Sequence, residues 1–114
     1  MRILVVEDRD GDSTDALLDL VEAGHTVVRC QPVGGELVPC AGLRNGSCPL
    51  DQPVDLVVDV HTGEGLSPRE LGAFCAIRAG ATVVTVGHSP APFPAVRTTA
   101  ADLVETVNAL APAT

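Results

Sequence analysis

The stretch that decides the fold is DLVVDV, residues 55–60. Its aliphatic residues fill adjacent as well as alternate positions, so an extended strand here would be apolar on both faces. Three further β-branched runs have a similar character, at residues 3–6, 26–30 and 81–86. Strands of this kind are typical of parallel sheets that are covered by helices on each side. We therefore expect four strands buried in a parallel sheet.

A loop and then a helix are predicted after the first strand. The residues DSTD, at 12–15, are typical of a helix start. Leu17, Leu20 and Val21 follow at helical spacing and define the expected buried side of the helix. Gly24 suits the left-handed position that often ends a helix.

Two more helix starts follow along the chain. The residues SPRE, at 67–70, combine an N-cap serine, a first-turn proline and a capping-box glutamate, and predict a helix that ends at Gly80. The residues TAAD, at 99–102, predict the start of a last helix. Strands that alternate with helices predict a small three-layer α/β domain of flavodoxin-like fold, with helices on both faces of a parallel sheet, over residues 1–114.

One long segment falls outside this alternation. Residues 31–53 carry four prolines, four glycines and two cysteines, which predicts an irregular loop. A loop of this length in a small domain is either functional or evidence against the assignment of elements.

The charge of the chain excludes several classes of function. The formal net charge is −8, and all seven basic residues are arginines. We therefore expect no nucleic-acid partner and no anionic membrane surface as a partner. A mechanism that needs a lysine, such as Schiff-base chemistry, is excluded. No apolar run reaches the length of a membrane span or a signal-peptide core, so we expect a cytoplasmic protein.

Three carboxylates follow two of the predicted strands. Glu7 and Asp8 come at the end of the first strand, and Asp59 lies at the end of the strand 55–60. Because the carboxyl ends of parallel strands meet at one edge of a sheet, we expect an acidic pocket of Glu7, Asp8 and Asp59. Such carboxylates repel one another unless a hard cation such as Mg²⁺ lies among them. The alternative is that they are solvated loop residues or partners of a helix dipole.

Two histidines are expected near the same edge. His61 and His88 each follow a predicted strand, where an imidazole can serve as a metal ligand or as a general base. Single histidines in loops are more often solvated, and we expect this of His25.

The segments RILVVED and AGHTVV, with the strand VDLVVDV, resemble the first three strands of the receiver domains of response regulators. In that family two acids hold Mg²⁺, and an aspartate that ends the third strand accepts a phosphoryl group. The resemblance implies that Glu7 and Asp8 are the metal-binding pair and that Asp59 is the phosphorylated residue. It covers roughly the first half of the chain and the last helix.

The chain departs from the receiver pattern at the lysine that ends the family's fifth strand. It contains no lysine, and Ala91-Pro92-Phe93 stands where the family has Lys-Pro-Phe. The residues between Gly87 and Phe93 also leave hardly any room for the family's fourth helix and fifth strand. The resemblance therefore supports the fold more than phosphoryl transfer.

The four cysteines form a second candidate site. Thiolates of Cys30, Cys40, Cys48 and Cys75 can hold zinc tetrahedrally or anchor an iron–sulfur cluster. No CxxC pair is present, so the spacing alone does not identify a metal site. The alternatives are a regulatory disulfide between Cys40 and Cys48 and a core position for Cys75.

Glu70 is a third candidate. The segment that begins Glu70-Leu71-Gly72 and runs to Val84 resembles nucleoside deoxyribosyltransferase-like proteins, in which this glutamate is the nucleophile that takes the sugar. The resemblance implies Asp59 as the acid that protonates the leaving base. The alternative is that Glu70 and Ser67 cap a helix.

We therefore expect a non-enzymatic, cytoplasmic regulatory or sensor domain that docks a protein partner or associates with itself. Its input would be metal binding or redox change at the cysteines, because the receiver lysine is missing. One alternative is a deoxyribosyltransferase-like enzyme that uses Glu70. A second is an assembly module that binds no ligand.

Overall fold

A computed structural model of the chain describes residues 1–7, 13–29, 54–61, 75, 77, 78, 80–87 and 95–110. These ranges contain, in chain order, the following strands and helices: β1 (Arg2–Glu7), α1 (Thr14–Glu22), β2 (Thr26–Arg29), β3 (Leu56–His61), β4 (Thr82–Gly87), β5 (Val96–Thr98) and α2 (Leu103–Ala109). Cys75, Ile77 and Arg78 also have helical backbone, inside the helix predicted to end at Gly80.

The strands form one parallel sheet in the order β2-β1-β3-β4-β5. This is the strand order of flavodoxin-like sheets, so the predicted fold class is confirmed. Strand β3 lies at the centre, where Val58 is in register with Val5 of β1 and with Val84 of β4. All six residues of β3 are buried, as its run of aliphatic residues predicts.

Apolar side chains cover both faces of the sheet. On the face that carries the two helices, Val5 and Val58 pack with Leu20 of α1 and with Leu103 and Val107 of α2. We call this the α1–α2 face. On the opposite face, side chains from β1, β3 and β4 pack against Ile77: Leu4, Val6, Val57 and Val83. The sheet is therefore the middle layer of the domain.

Helix α1 has the predicted position, and its predicted buried side is confirmed in part. Leu20 is fully buried and Ala16 packs against the same core, and the helix is followed by Gly24 with φ +92°. Val21, which the spacing placed on the buried side, is half exposed, as is Leu18. The prediction for Val21 is therefore wrong, whereas Leu17 is partly buried.

A fifth strand is present although the sequence indicated hardly any room for one. Strand β5 is only three residues long, and it pairs with β4 in the register Val84 to Val96 and Val86 to Thr98. A segment this short has no measurable periodicity, so only its pairing with β4 reveals it.

The turn before α2 matches the predicted helix start, since Thr99 Oγ1 accepts a hydrogen bond of 3.2 Å from the Asp102 N–H.

Some sequence predictions fall outside the described residues. They include the irregular loop 31–53 and the helix start at 67–70. In the part of the chain that the structure describes, neither helix is long and apolar enough to cross a membrane.

Candidate functional site at the carboxyl edge of the sheet

Four buried polar side chains lie at or near the carboxyl ends of the three central strands. They are Glu7 of β1, Asp59 and His61 of β3, and Thr85 of β4, each at most 2% exposed. Buried polar groups are the informative exceptions in a sheet that is otherwise aliphatic. Because this is the edge at which ligands bind in doubly wound sheets, these four residues define the candidate site.

Glu7 lies on the α1–α2 face and is held by two kinds of donor. Its Oε2 atom accepts a hydrogen bond of 2.8 Å from the backbone N–H of Ser13, the residue that precedes α1. Its Oε1 atom forms an ion pair with the Arg29 guanidinium, which comes from the end of β2. The carboxylate also lies at the positive end of the α1 dipole. Glu7 therefore joins β1, β2 and the start of α1.

Asp59 lies at the same edge but on the opposite face. It is in register with Val6 of β1 and with Thr85 of β4, whereas Glu7 is in register with Val60. Neighbours in register point to the same face of a sheet, so Asp59 shares the face of Val6 and Thr85. The structure therefore does not bring Glu7 and Asp59 together on one face. Asp8 lies outside the described residues, and a Mg²⁺ site in the acidic pocket stays a prediction.

Asp59, His61 and Thr85 form a polar patch on this opposite face. Asp59 and His61 are two residues apart on β3 and so point to the same side, and Thr85 stands beside Asp59 on β4. The patch consists of a carboxylate, an imidazole and a hydroxyl on one face of two neighbouring strands, which lie about 4.8 Å apart. Such a set can exchange protons or hold a polar ligand. The Thr85 hydroxyl makes no hydrogen bond with any residue that the structure describes.

Gly87 is the last residue of β4 and lies against the end of β3. It is in register with His61 and has φ +94°. A Cβ atom at this position would lie 2.2 Å from the His61 carbonyl oxygen, well inside van der Waals contact. Glycine is therefore required both by the left-handed backbone and by the close approach of β3. The sequence placed Gly87 at a strand end but gave it no role.

The cysteine site is only partly within the described residues. Cys75 is exposed and unbridged, so the alternative that it is a core residue is wrong. Cys30, Cys40 and Cys48 lie outside the described ranges. Among the residues that are described, no group of three or more His, Cys, Asp or Glu side chains could hold a metal ion. A zinc or iron–sulfur site formed by the four cysteines stays a prediction.

His25 has a structural role that the sequence did not indicate. Its Nε2 atom lies 2.9 Å from Asn108 Oδ1 of α2, and its Nδ1 atom lies 3.3 Å from the Met1 amino nitrogen. The ring is partly buried and links the turn after α1 to the last helix. His25 therefore makes a tertiary contact in addition to being partly exposed, because α2 returns to this turn from the far end of the chain.

Glu70 and His88 lie outside the described residues, so the structure does not place either of them. Comparisons of the chain with protein-family models, with curated proteins and with solved structures give no match. A function is therefore proposed from the fold, the charge and the geometry of the carboxyl edge.

Proposed function

We propose that the chain is a non-enzymatic regulatory domain of receiver-like architecture that acts through a protein partner and does not carry a phosphoryl group. The observation that carries the proposal is the position of Asp59. This aspartate lies near the carboxyl end of β3, the central strand of a sheet with the order β2-β1-β3-β4-β5, and its side chain is fully buried in a chain that has no lysine.

Burial of Asp59 argues against phosphoryl transfer. A carboxylate that accepts a phosphoryl group must reach the phosphorus atom of a donor in line with the bond that breaks. Asp59 has no exposed surface. Its neighbours in register are Val6 and Thr85, which are also buried. This environment fits a structural or ligand-holding carboxylate better than a nucleophile.

Charge supports the same conclusion. A phosphorylated aspartate brings about two negative charges to its site and needs a nearby cation to offset them. The chain supplies no lysine for this purpose. Arg29 of β2 is paired with Glu7 on the α1–α2 face, whereas the exposed Arg97 of β5 is in register with Thr85, on the face of Asp59. The missing lysine therefore supports a receiver-like domain that does not switch by phosphoryl transfer.

The proposed input is the set of four thiols, through zinc, an iron–sulfur cluster or a redox change. Cys75 is exposed and free, as an accessible ligand or reactive thiol must be. The chain is purified without oxygen and without chelator, and its metal and sulfide content is measured. We expect stoichiometric metal that is lost in Cys40→Ser and Cys75→Ser, while Ser13→Ala retains it. Protein free of metal, with four thiols that titrate freely, would contradict a metal input.

A second experiment tests the absence of phosphoryl transfer. The chain is incubated with acetyl phosphate and Mg²⁺, and its intact mass is followed with the variants Asp59→Asn and Asp19→Asn. Asp19 is the matched control because it is an exposed aspartate of α1. We expect no phosphoryl adduct in any of the three. An adduct on the wild type and on Asp19→Asn, but not on Asp59→Asn, would show that the domain is a phosphoryl-accepting receiver.

The enzyme alternative is tested with the same preparation. Exchange of the base of a deoxynucleoside for a second free base is followed by chromatography. The proposal predicts no exchange above the buffer control. Exchange that is abolished in Glu70→Ala and kept in Glu22→Gln would contradict it and establish a deoxyribosyltransferase-like activity.

A further inference from the structure

Helix α1 exposes two large aliphatic side chains next to each other. Leu18 is 53% exposed and Val21 is 50% exposed, more than Val96 and Leu110, which are each 38% exposed. Leu18 and Val21 are three residues apart and so lie on one side of the helix. The buried stripe of α1 runs through Leu20 instead. These two adjacent aliphatic side chains form a small apolar patch that a partner could cover.

Carboxylates flank one side of this apolar pair. Asp15, Asp19 and Glu22 are exposed on the same helix, and α1 contains no basic residue. None of the three carboxylates forms an ion pair with another residue that the structure describes. We call the five residues Asp15, Leu18, Asp19, Val21 and Glu22 the outer α1 surface.

Asp15 lies in the first turn of α1, where the helix dipole favours a carboxylate, but two other features of the α1 charges are unfavourable. Asp15 and Asp19 are four residues apart and Asp19 and Glu22 are three apart, so like charges face one another along one side. Glu22 also lies in the last turn, where the negative end of the helix dipole disfavours a carboxylate. A cationic partner would offset both the repulsion between these carboxylates and the unfavourable interaction of Glu22 with the helix dipole.

We propose that the outer α1 surface binds an amphipathic, basic helix of a protein partner. The apolar side of that helix would cover Leu18 and Val21, and its lysines or arginines would face Asp15, Asp19 and Glu22. The inference rests on the proposed function, because it names the class of partner through which the regulatory domain acts. A second copy packed through its own α1 does not fit, because carboxylates would face carboxylates.

The test uses a synthetic helical peptide with leucines at positions i, i+3 and i+4 and lysines elsewhere. It is titrated into the isotope-labelled full chain, and backbone amide shifts are followed by NMR. We expect the largest shifts between Thr14 and Glu22, and weaker binding as salt is raised. A scrambled peptide of the same composition, and a peptide with glutamate in place of lysine, serve as ligand controls and should not bind at the same concentration.

Paired variants separate the outer α1 surface from net charge. Asp15→Asn with Asp19→Asn should weaken binding about fivefold, and Leu18→Ser with Val21→Ser about tenfold. The matched control is Asp102→Asn with Glu105→Gln, which removes two exposed carboxylates beside and within α2 and should change affinity less than about twofold. Circular dichroism checks that each variant keeps its fold.

Several outcomes would overturn the inference. They are equal binding of the scrambled peptide, equal weakening by the α2 control, shifts that lie away from α1, or the absence of binding. Self-association of the wild type that Leu18→Ser and Val21→Ser abolish would identify a second copy as the occupant instead. A phosphoryl adduct on Asp59 would remove the proposed function but leave peptide binding by α1 unchanged, so the two failures are distinguishable.

Discussion

Two equally buried carboxylates at one edge of the sheet have different surroundings. Glu7 and Asp59 are each at most 1% exposed, and both lie at or near the carboxyl ends of neighbouring strands. Glu7 is held by Arg29 and by the Ser13 N–H on the α1–α2 face, whereas Asp59 lies on the opposite face beside Thr85. The difference shows that burial alone does not assign a role to an acid. The strand register decides which face the acid meets.

The largest expected effect tests the Glu7 side of this comparison. Glu7→Gln removes the charge that faces Arg29 and leaves the guanidinium, which is 19% exposed, without its counter-ion. Breaking such a pair from one side should lower the free energy of unfolding by about 3 kcal/mol. Urea unfolding followed by circular dichroism measures this loss. Adding Arg29→Met to Glu7→Gln should restore part of it, because the uncompensated charge is then gone.

Asp55→Asn is the matched control for Glu7→Gln. Asp55 is exposed, and its Oδ2 atom accepts a hydrogen bond of 2.8 Å from the Arg2 N–H at the other end of the sheet. Its loss should cost less than about 1 kcal/mol. Suppose that Glu7→Gln lowered the free energy of unfolding no more than Asp55→Asn does. The Glu7–Arg29 pair would then not be the interaction that joins β1, β2 and α1.

The second effect concerns the face of Asp59, where the ends of β3 and β4 meet. Gly87→Ala places a methyl group against the His61 carbonyl and in a left-handed backbone, which should cost about 2 kcal/mol or more. Gly80→Ala is the matched control, since Gly80 has φ +90° but open space around it, and should cost about 1 kcal/mol. Thermal and urea unfolding provide both values. Equal losses of stability in Gly87→Ala and Gly80→Ala would show that β3 does not approach Gly87 this closely.

The smallest effect compares two threonines on neighbouring strands. The Thr85 hydroxyl is buried in the polar patch without a hydrogen bond to a described residue, whereas Thr98 Oγ1 lies 2.8 Å from Thr106 Oγ1. Thr85→Val should therefore be neutral or stabilising by up to about 1 kcal/mol, and Thr98→Val should destabilise by about 1 kcal/mol. A clear loss of stability in Thr85→Val would mean that its hydroxyl has a structural partner.

The sequence by itself determined the layered architecture. The aliphatic runs at residues 3–6 and 55–60 can only be buried when both of their faces are covered, and this requirement indicates a parallel sheet between helices. The sequence also indicated where helices end, because a glycine just after a helix is a local signal. Gly24 and Gly80 were predicted at these ends, and both adopt the left-handed backbone that glycine favours.

Only the tertiary structure decided which groups meet. Glu7 and Asp59 belong to opposite faces because β1 and β3 pair with Glu7 beside Val60, and no local pattern in either strand encodes that register. The link between His25 and Asn108 and the short strand β5 depend in the same way on segments far apart in the chain. Periodicity and capping act over a few residues, whereas register and helix packing depend on surfaces that exist only after the chain has folded.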